Sequence, residues 1–161
     1  MKISEQQFNF VYTEYSKELY NIAYGYTKNK DDSIDITQNV FVKLLESKKE
    51  FKSNEDIKYF LIRVVINESI NFIKSNYKKR VIKSNDIVMI SPENNKDDLQ
   101  EDISIFVDKL PQKYKSIIIL YYYDLMKIKD ISKALNISEA AVKKRLERAR
   151  NLIKEMMGGN Q

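Results

Sequence analysis

Apolar residues recur every three or four positions along most of this chain, and that spacing leaves little room for any element other than the α-helix. Phe8, Tyr12, Tyr15, Leu19, Ile22, Ala23 and Tyr26 mark a first amphipathic helix. A second runs from about Asp31 to Glu46, with Ile34, Thr37, Phe41 and Leu44 or Leu45 on one face. A third covers roughly Asp56 to Lys79 and is entered through Ser53 and Asn54, both good capping residues. Its expected core stripe is Ile66, Ile70, Ile73 and Tyr77, with Asn67, Asn71, Lys74 and Lys78 sharing a polar face. Strand signals are weak. Val81-Ile82 and Ile87 to Ile90 offer a short β piece with no hairpin turn beside it. The expected fold class is all-α.

Only 3 Gly and 2 Pro occur in the 161 residues, so each one punctuates. Pro92 lies in the polar stretch from Ser91 to Asp98, which reads as a linker. Pro111 opens a new apolar-periodic run, a favoured place for proline at a helix start. Gly158-Gly159 closes the last helix. Charge divides the chain along the same lines: residues 1–80 carry net +3, residues 81–109 net −4 and residues 110–161 net +6. The expected organisation is two small helical domains, 1–80 and 110–161, joined by a flexible acidic linker at 81–109.

Composition excludes several chemistries. There is no Cys, hence no disulfide, thiolate zinc site or cysteine nucleophile, and no His, hence no imidazole base. No cofactor is expected. A metal site at Asp31, Asp32 and Asp35 is disfavoured, since helical di-metal sites pair carboxylates with histidine. The net charge of +5 favours anionic partners. Met1 to Gln7 lacks the apolar run of a signal peptide. The longest apolar block, Ile117 to Tyr123, falls far short of the ~20 residues that cross a bilayer. The expected location is the cytoplasm, with no membrane insertion.

Residues 126–154 are the most specific stretch. Ile128, Ile131 and Leu135 give a short helix ending at Asn136, a residue type that tolerates the left-handed turn. Ser138 can then cap a second helix, in which Val142, Leu146, Ala149, Ile153 and Met156 step by four and three. Two short helices with a tight turn, the second basic near its start, form a helix-turn-helix. Lys143, Lys144, Glu147 and Arg148 are its candidate readers. Lysine or arginine donates to guanine, glutamate accepts from cytosine N4, and the remaining cations meet phosphates. A solvated basic face is the plainer alternative, and the punctuation favours DNA.

Two other stretches are less decisive on spacing alone. Asp35, Gln38, Asn39 and Val42 fall at i, i+3, i+4 and i+7, a polar face with one apolar position. That face suits a protein partner, although an ordinary solvated helix has the same pattern. Between Phe51 and Lys79, aromatics including Phe51, Phe60 and Phe72 interleave with Lys52, Lys58, Arg63 and Lys74. Such mixtures suit single-stranded nucleic acid, where bases stack and phosphates are neutralised. Aromatics at helical spacing also serve as plain core, and both readings stand.

In order, four motifs resemble those of the bacterial sigma-70 family, in its small two-domain extracytoplasmic-function form. Asp32 to Phe41 resembles region 2.2, and Tyr59 to Asn67 resembles region 2.3. Leu110-Pro111-Gln112-Lys113-Tyr114 resembles the opening of region 4. Ile131 to Ser138 followed by Val142 to Arg150 resembles its helix-turn-helix. The resemblance implies a factor that binds core RNA polymerase, recognises −35 and −10 promoter elements and promotes DNA melting, with no enzymatic activity of its own.

It also implies roles for particular residues. Asp35, Gln38, Asn39 and Val42 would meet the β′ clamp helices of core polymerase, and the region 4 unit its β flap. Phe51 and Lys52 would belong to a loop capturing a flipped −10 base, with Phe60 as the melting wedge and Asn67, Asn71 and Lys74 beside it. Lys143, Lys144, Glu147 and Arg148 would read the −35 element. Partners would thus be core polymerase, double- and single-stranded promoter DNA and, as for many relatives, an anti-sigma factor. Asn39 departs from the family's usual Glu, Phe60 from its usual Trp and Asn136 from a common Gly. The competing reading is a polymerase-independent helix-turn-helix regulator, which has no need of the motifs in residues 32–67.

Overall fold

The computed structural model describes residues 3–83 and 98–158, with side chains up to Tyr77 in the first segment and from Ile103 in the second. Seven α-helices are described: α1 Glu5–Thr27, α2 Lys30–Glu46, α3 Asn54–Lys83, α4 Asp98–Asp108, α5 Gln112–Ile118, α6 Ile128–Leu135 and α7 Glu139–Gly158. A π-helical turn, Ile119–Tyr123, prolongs α5. No strand occurs among the described residues. Val81 and Ile82 continue α3, while the 87–90 piece and most of the polar linker around Pro92 lie outside the described residues.

Caps set the helix starts. The Ser4 hydroxyl accepts from Gln7 N at 3.0 Å, and the Asn29 side chain accepts from Asp32 N at 2.8 Å. Ser53 accepts from Asp56 N at 3.1 Å while the Asp56 carboxylate reaches back to Lys52 N at 3.2 Å, a close variant of a reciprocal cap. Pro111 precedes α5 as its cap residue, with φ −56° and ψ 149°, where it has no donor to waste.

The front unit packs α1, α2 and α3 around Leu19, Ile22, Val40, Leu44, Ile57, Leu61 and Ile62, all essentially inaccessible. Each such side chain contributes about 1.5–3 kcal/mol of transfer free energy. The back unit packs α4 to α7 around Ile117, Leu120, Ile131, Val142, Leu146 and Ala149.

Four details depart from the sequence reading. Ile34 and Leu45 are exposed, because the buried face of α2 follows Ser33, Ile36, Thr37, Val40, Phe41 and Leu44. Each outlier sits one residue, and so 100°, beyond that stripe. Tyr12 is likewise exposed, and Val11 takes the core position beside it. Tyr77 is 69% exposed: α3 has 30 residues against 23 in α1 and 17 in α2, so its last turns outrun the helices that could cover them. Finally, α4 occupies residues assigned to the linker. It is no free connector, since Val107 is buried and α4 packs on α5 and α7.

The two units touch along a seam. Gly25 on α1 faces the π-helical turn so closely that a Cβ there would lie 2.8 Å from Ile119 Cγ2. Only glycine allows that approach. Beside it Asp108 takes Lys28 Nζ at 3.0 Å from the front unit and Lys115 Nζ at 3.4 Å from the back. Burial lowers the pKa of the Lys115 ammonium, with Asp108 opposing the shift. Further along, α6 lies against α3. Arg63 Nη1 donates to the Ala134 carbonyl at 2.9 Å, Tyr59 Oη to Asp130 Oδ1 at 3.4 Å, and Lys133 pairs with Glu55 at 3.4 Å. Burial, then the Asp130 and Glu55 carboxylates, push the Tyr59 phenol pKa up.

Candidate nucleic-acid and partner interfaces

The turn between α6 and α7 has the geometry expected of it. Asn136 is left-handed at φ 57° and ψ 47°, and its backbone N–H closes on the Ser132 carbonyl. The Ser132 hydroxyl donates to the Ile137 carbonyl at 2.6 Å, pinning the far side of the turn. Ser138 then caps α7 by accepting from Ala141 N at 3.0 Å. Val142, Leu146 and Ala149 bury the inner stripe of α7. Lys143, Lys144, Glu147 and Arg148 emerge together on the outer face, all exposed, and none joins an ion pair among the described residues. Four donor-rich or acceptor groups on one short arc suit a groove, and a 100° step per residue places 143, 144, 147 and 148 within it. Arg150 is spoken for: its Nε donates to Tyr122 Oη at 2.7 Å and its guanidinium lies 5.6 Å from that ring's centroid.

A second surface runs along α3. Phe60, Asn67, Asn71 and Lys74 fall at intervals of seven, four and three, so they share one side of the helix. Asn67, Asn71 and Lys74 are exposed, and Phe60 is half-buried. At its head Phe51 meets Phe60 edge-on at 5.2 Å between centroids, while Lys52 next to it is exposed. Lys49 completes the group, its ammonium 5.7 Å from the Phe51 ring and 5.5 Å from the Phe60 ring. Sequence reasoning missed Lys49. The signal was its position two residues before Phe51, within reach of a ring that the chain brings back.

The third surface is the outer face of α2. Asp35, Gln38, Asn39 and Val42 are all exposed there, and Ile34 and Leu45 extend it. Val42 is 47% accessible, an apolar residue ringed by short polar ones. The sequence reading placed Ile34 and Leu45 in the core and so underestimated how apolar this face is. Among the described residues no cluster of carboxylates has the arrangement of a metal site.

Comparison with known proteins places the chain in a family. The sigma-70 region 2 family model matches residues 11–79, and the sigma-70 region 4 model matches residues 105–153. The RNA polymerase sigma factor SigV of Bacillus subtilis (strain 168) is 31% identical over 144 residues, covering 88% of this chain and 86% of its own. The chain belongs to the sigma-70 family. The extracytoplasmic-function sigma factor SigM of the same organism is 26% identical over 152 residues, covering 91% and 92%. Among solved structures, CnrH in complex with the cytosolic domain of CnrY superposes with a TM-score of 0.70 at 16% identity, covering 98% and 92%. RpoE in complex with the anti-sigma factor NepR from Bartonella quintana gives 0.63 at 20% identity, covering 96% and 98%.

This sigma factor is therefore of the two-domain extracytoplasmic-function type, and it directs RNA polymerase to promoters. The region 4 match begins at residue 105, ahead of the boundary expected at 110, in keeping with α4 packing on the back unit. No helix among the described residues is long and apolar enough to cross a membrane.

Proposed function

We propose a division of labour among the three surfaces of this sigma factor. The outer face of α7 reads the −35 element as duplex: Lys143, Lys144 and Arg148 donate to guanine edges or phosphates, and Glu147 accepts from cytosine. The α3 stripe takes a separated −10 strand, with Phe60 as wedge, Phe51 and Lys52 flanking the captured base, and Asn67, Asn71 and Lys74 following the backbone. Asp35, Gln38, Asn39 and Val42, with Ile34 and Leu45, dock on the β′ clamp helices, and the back unit meets the β flap. The protein performs no covalent chemistry. Binding energy spent on base capture and wedging offsets lost stacking, a few kcal/mol per step. It acts in the cytoplasm, where the chromosome is, and an anti-sigma factor is the expected class of inhibitor.

One observation carries this reading: a charged, fully exposed recognition face and an aromatic–amide stripe occur on separate helices of one chain. The former suits paired DNA and the latter suits unpaired bases. The test is transcription by purified core polymerase on a fragmented genomic library, with and without the protein. New start sites sharing motifs near −35 and −10 are expected. Specific duplex binding by the protein alone, with no added start sites, would instead mark a polymerase-independent regulator.

A further inference from the structure

Asp124 closes the π-helical turn at the point where the back unit crosses α1. It is half-buried overall, yet its Oδ2 is inaccessible and accepts no hydrogen bond among the described residues. Glu18 and Asn21 of α1 are the polar side chains that bear on its carboxyl from across the seam. From α3 comes Lys58, whose Nζ lies 3.6 Å from Glu18 Oε2 and 5.7 Å from the Tyr15 ring centroid. Two carboxylates and one ammonium leave this cluster one negative charge in excess. Two ionised carboxylates are also both acceptors, so neither can satisfy the other.

We propose that the seam is a proton-loaded latch: Asp124 carries a proton while the two units are packed, donates it to Glu18, and releases it when they part. One proton supplies the missing donor and leaves Glu18 and Lys58 as a balanced pair. Burial, followed by Glu18, pushes the Asp124 carboxyl up to about 9, with Lys58 and Asn21 pulling against them. In the parted form the same carboxyl is solvated and titrates near ~4.

The sign follows from proton counting. Between about pH 4 and pH 9 the packed form holds one more proton than the parted form, so raising the pH favours parting. The parted-to-packed ratio gains at most about tenfold per pH unit and flattens outside that window.

Parting matters for initiation, a consequence that rests on the function proposed above, whereas the latch itself does not. Elements centred 35 and 10 base pairs upstream are separated by roughly 85 Å of duplex at ~3.4 Å per base pair. A compact chain of this length has a radius of gyration near ~15 Å. The packed form cannot span both elements.

The absence of Cys makes the test direct. Thr13→Cys on α1 and Lys154→Cys on α7, both at exposed positions, carry a donor and an acceptor dye. Single-molecule energy transfer is then recorded on the full chain, without polymerase, from about pH 5.5 to pH 9. Two populations are expected, the low-transfer one growing with pH by up to about tenfold per unit. Asp124→Asn supplies a donor that does not titrate, so the packed population should persist and the pH slope vanish. Gly25→Ala should raise the parted share at every pH and keep the slope. If Asp124→Asn does not fold, Glu18→Gln must reduce the slope in its place, because it removes the second carboxylate while Asp124 stays buried. A flat wild-type profile, an undiminished slope in these carboxyl variants, or one parted population throughout would overturn the latch. None of these readouts depends on promoter activity, so failure of the functional reading would leave them standing.

Discussion

The two surfaces assigned to DNA differ in how much of the fold each one needs. The α7 face is four exposed side chains on a helix whose inner stripe is buried by its own unit. The α3 surface is half-buried at its head, where Phe51 returns to meet Phe60 under Lys49. Charge on flexible stems serves a duplex, whose phosphates and base edges are already in register. A strand that must be unstacked needs rigid aromatic area, which loses little entropy on binding and is held by packing. The seam sharpens the contrast. It lays α6 against the flank of α3, through Arg63, Tyr59 and Glu55, and leaves the outer face of α7 open.

Breaking the α7 face should have the largest effect. Lys144→Ala with Arg148→Ala removes two contacts worth about 1–3 kcal/mol each, so −35 duplex affinity of the holoenzyme should fall by about thirtyfold or more. Fluorescence anisotropy at several salt concentrations should also show a shallower salt slope, while a pull-down retains core polymerase. Equal loss in both assays would remove the division of labour. Next comes Phe60→Ala, at about 1–3 kcal/mol for a lost stacked base. Permanganate reactivity of the −10 strand should drop while −35 affinity holds.

The partner face should respond less and differently. Val42→Asp puts a charge into the only apolar position among Asp35, Gln38, Asn39 and itself, and should cost about 1 kcal/mol or more of core affinity with free-DNA behaviour unchanged. Titration of labelled protein with core enzyme measures this. Lys49→Ala is the smallest, about 0.5–1 kcal/mol from the lost cation–π contact. It should weaken binding of a −10 oligonucleotide slightly, and if it has no effect, the stacked aromatic pair works without its cation.

Much of this was legible in the chain because helix period and capping are local. The three-and-four spacing, Ser138 as a cap and Asn136 in the left-handed region each follow from a few neighbouring residues, and each appears in the structure. The candidate readers on α7 were legible for the same reason. What sequence could not supply was contact between distant segments. Tyr77 satisfies the period but lies on turns of α3 that no helix covers among the described residues. Ile34 and Leu45 satisfy apolarity but not the phase of α2, which its packing against α1 and α3 decides. Arg150 resembles Arg148 in composition, and only the position of Tyr122 separates a tethered cation from a free one. Asp124 and Glu18 are 106 positions apart, and the packing of the π-helical turn on α1 sets one beside the other.

Single-round transcription on two templates, one fully paired and one with the −10 segment held open by mismatches, separates the two DNA surfaces most directly. Pre-opening the template should restore initiation by the Phe60→Ala protein to near wild type and leave the Lys144→Ala, Arg148→Ala protein as impaired as on paired DNA. If the mismatched template rescues both proteins alike, or neither, the assignment of strand separation to α3 and duplex reading to α7 is wrong.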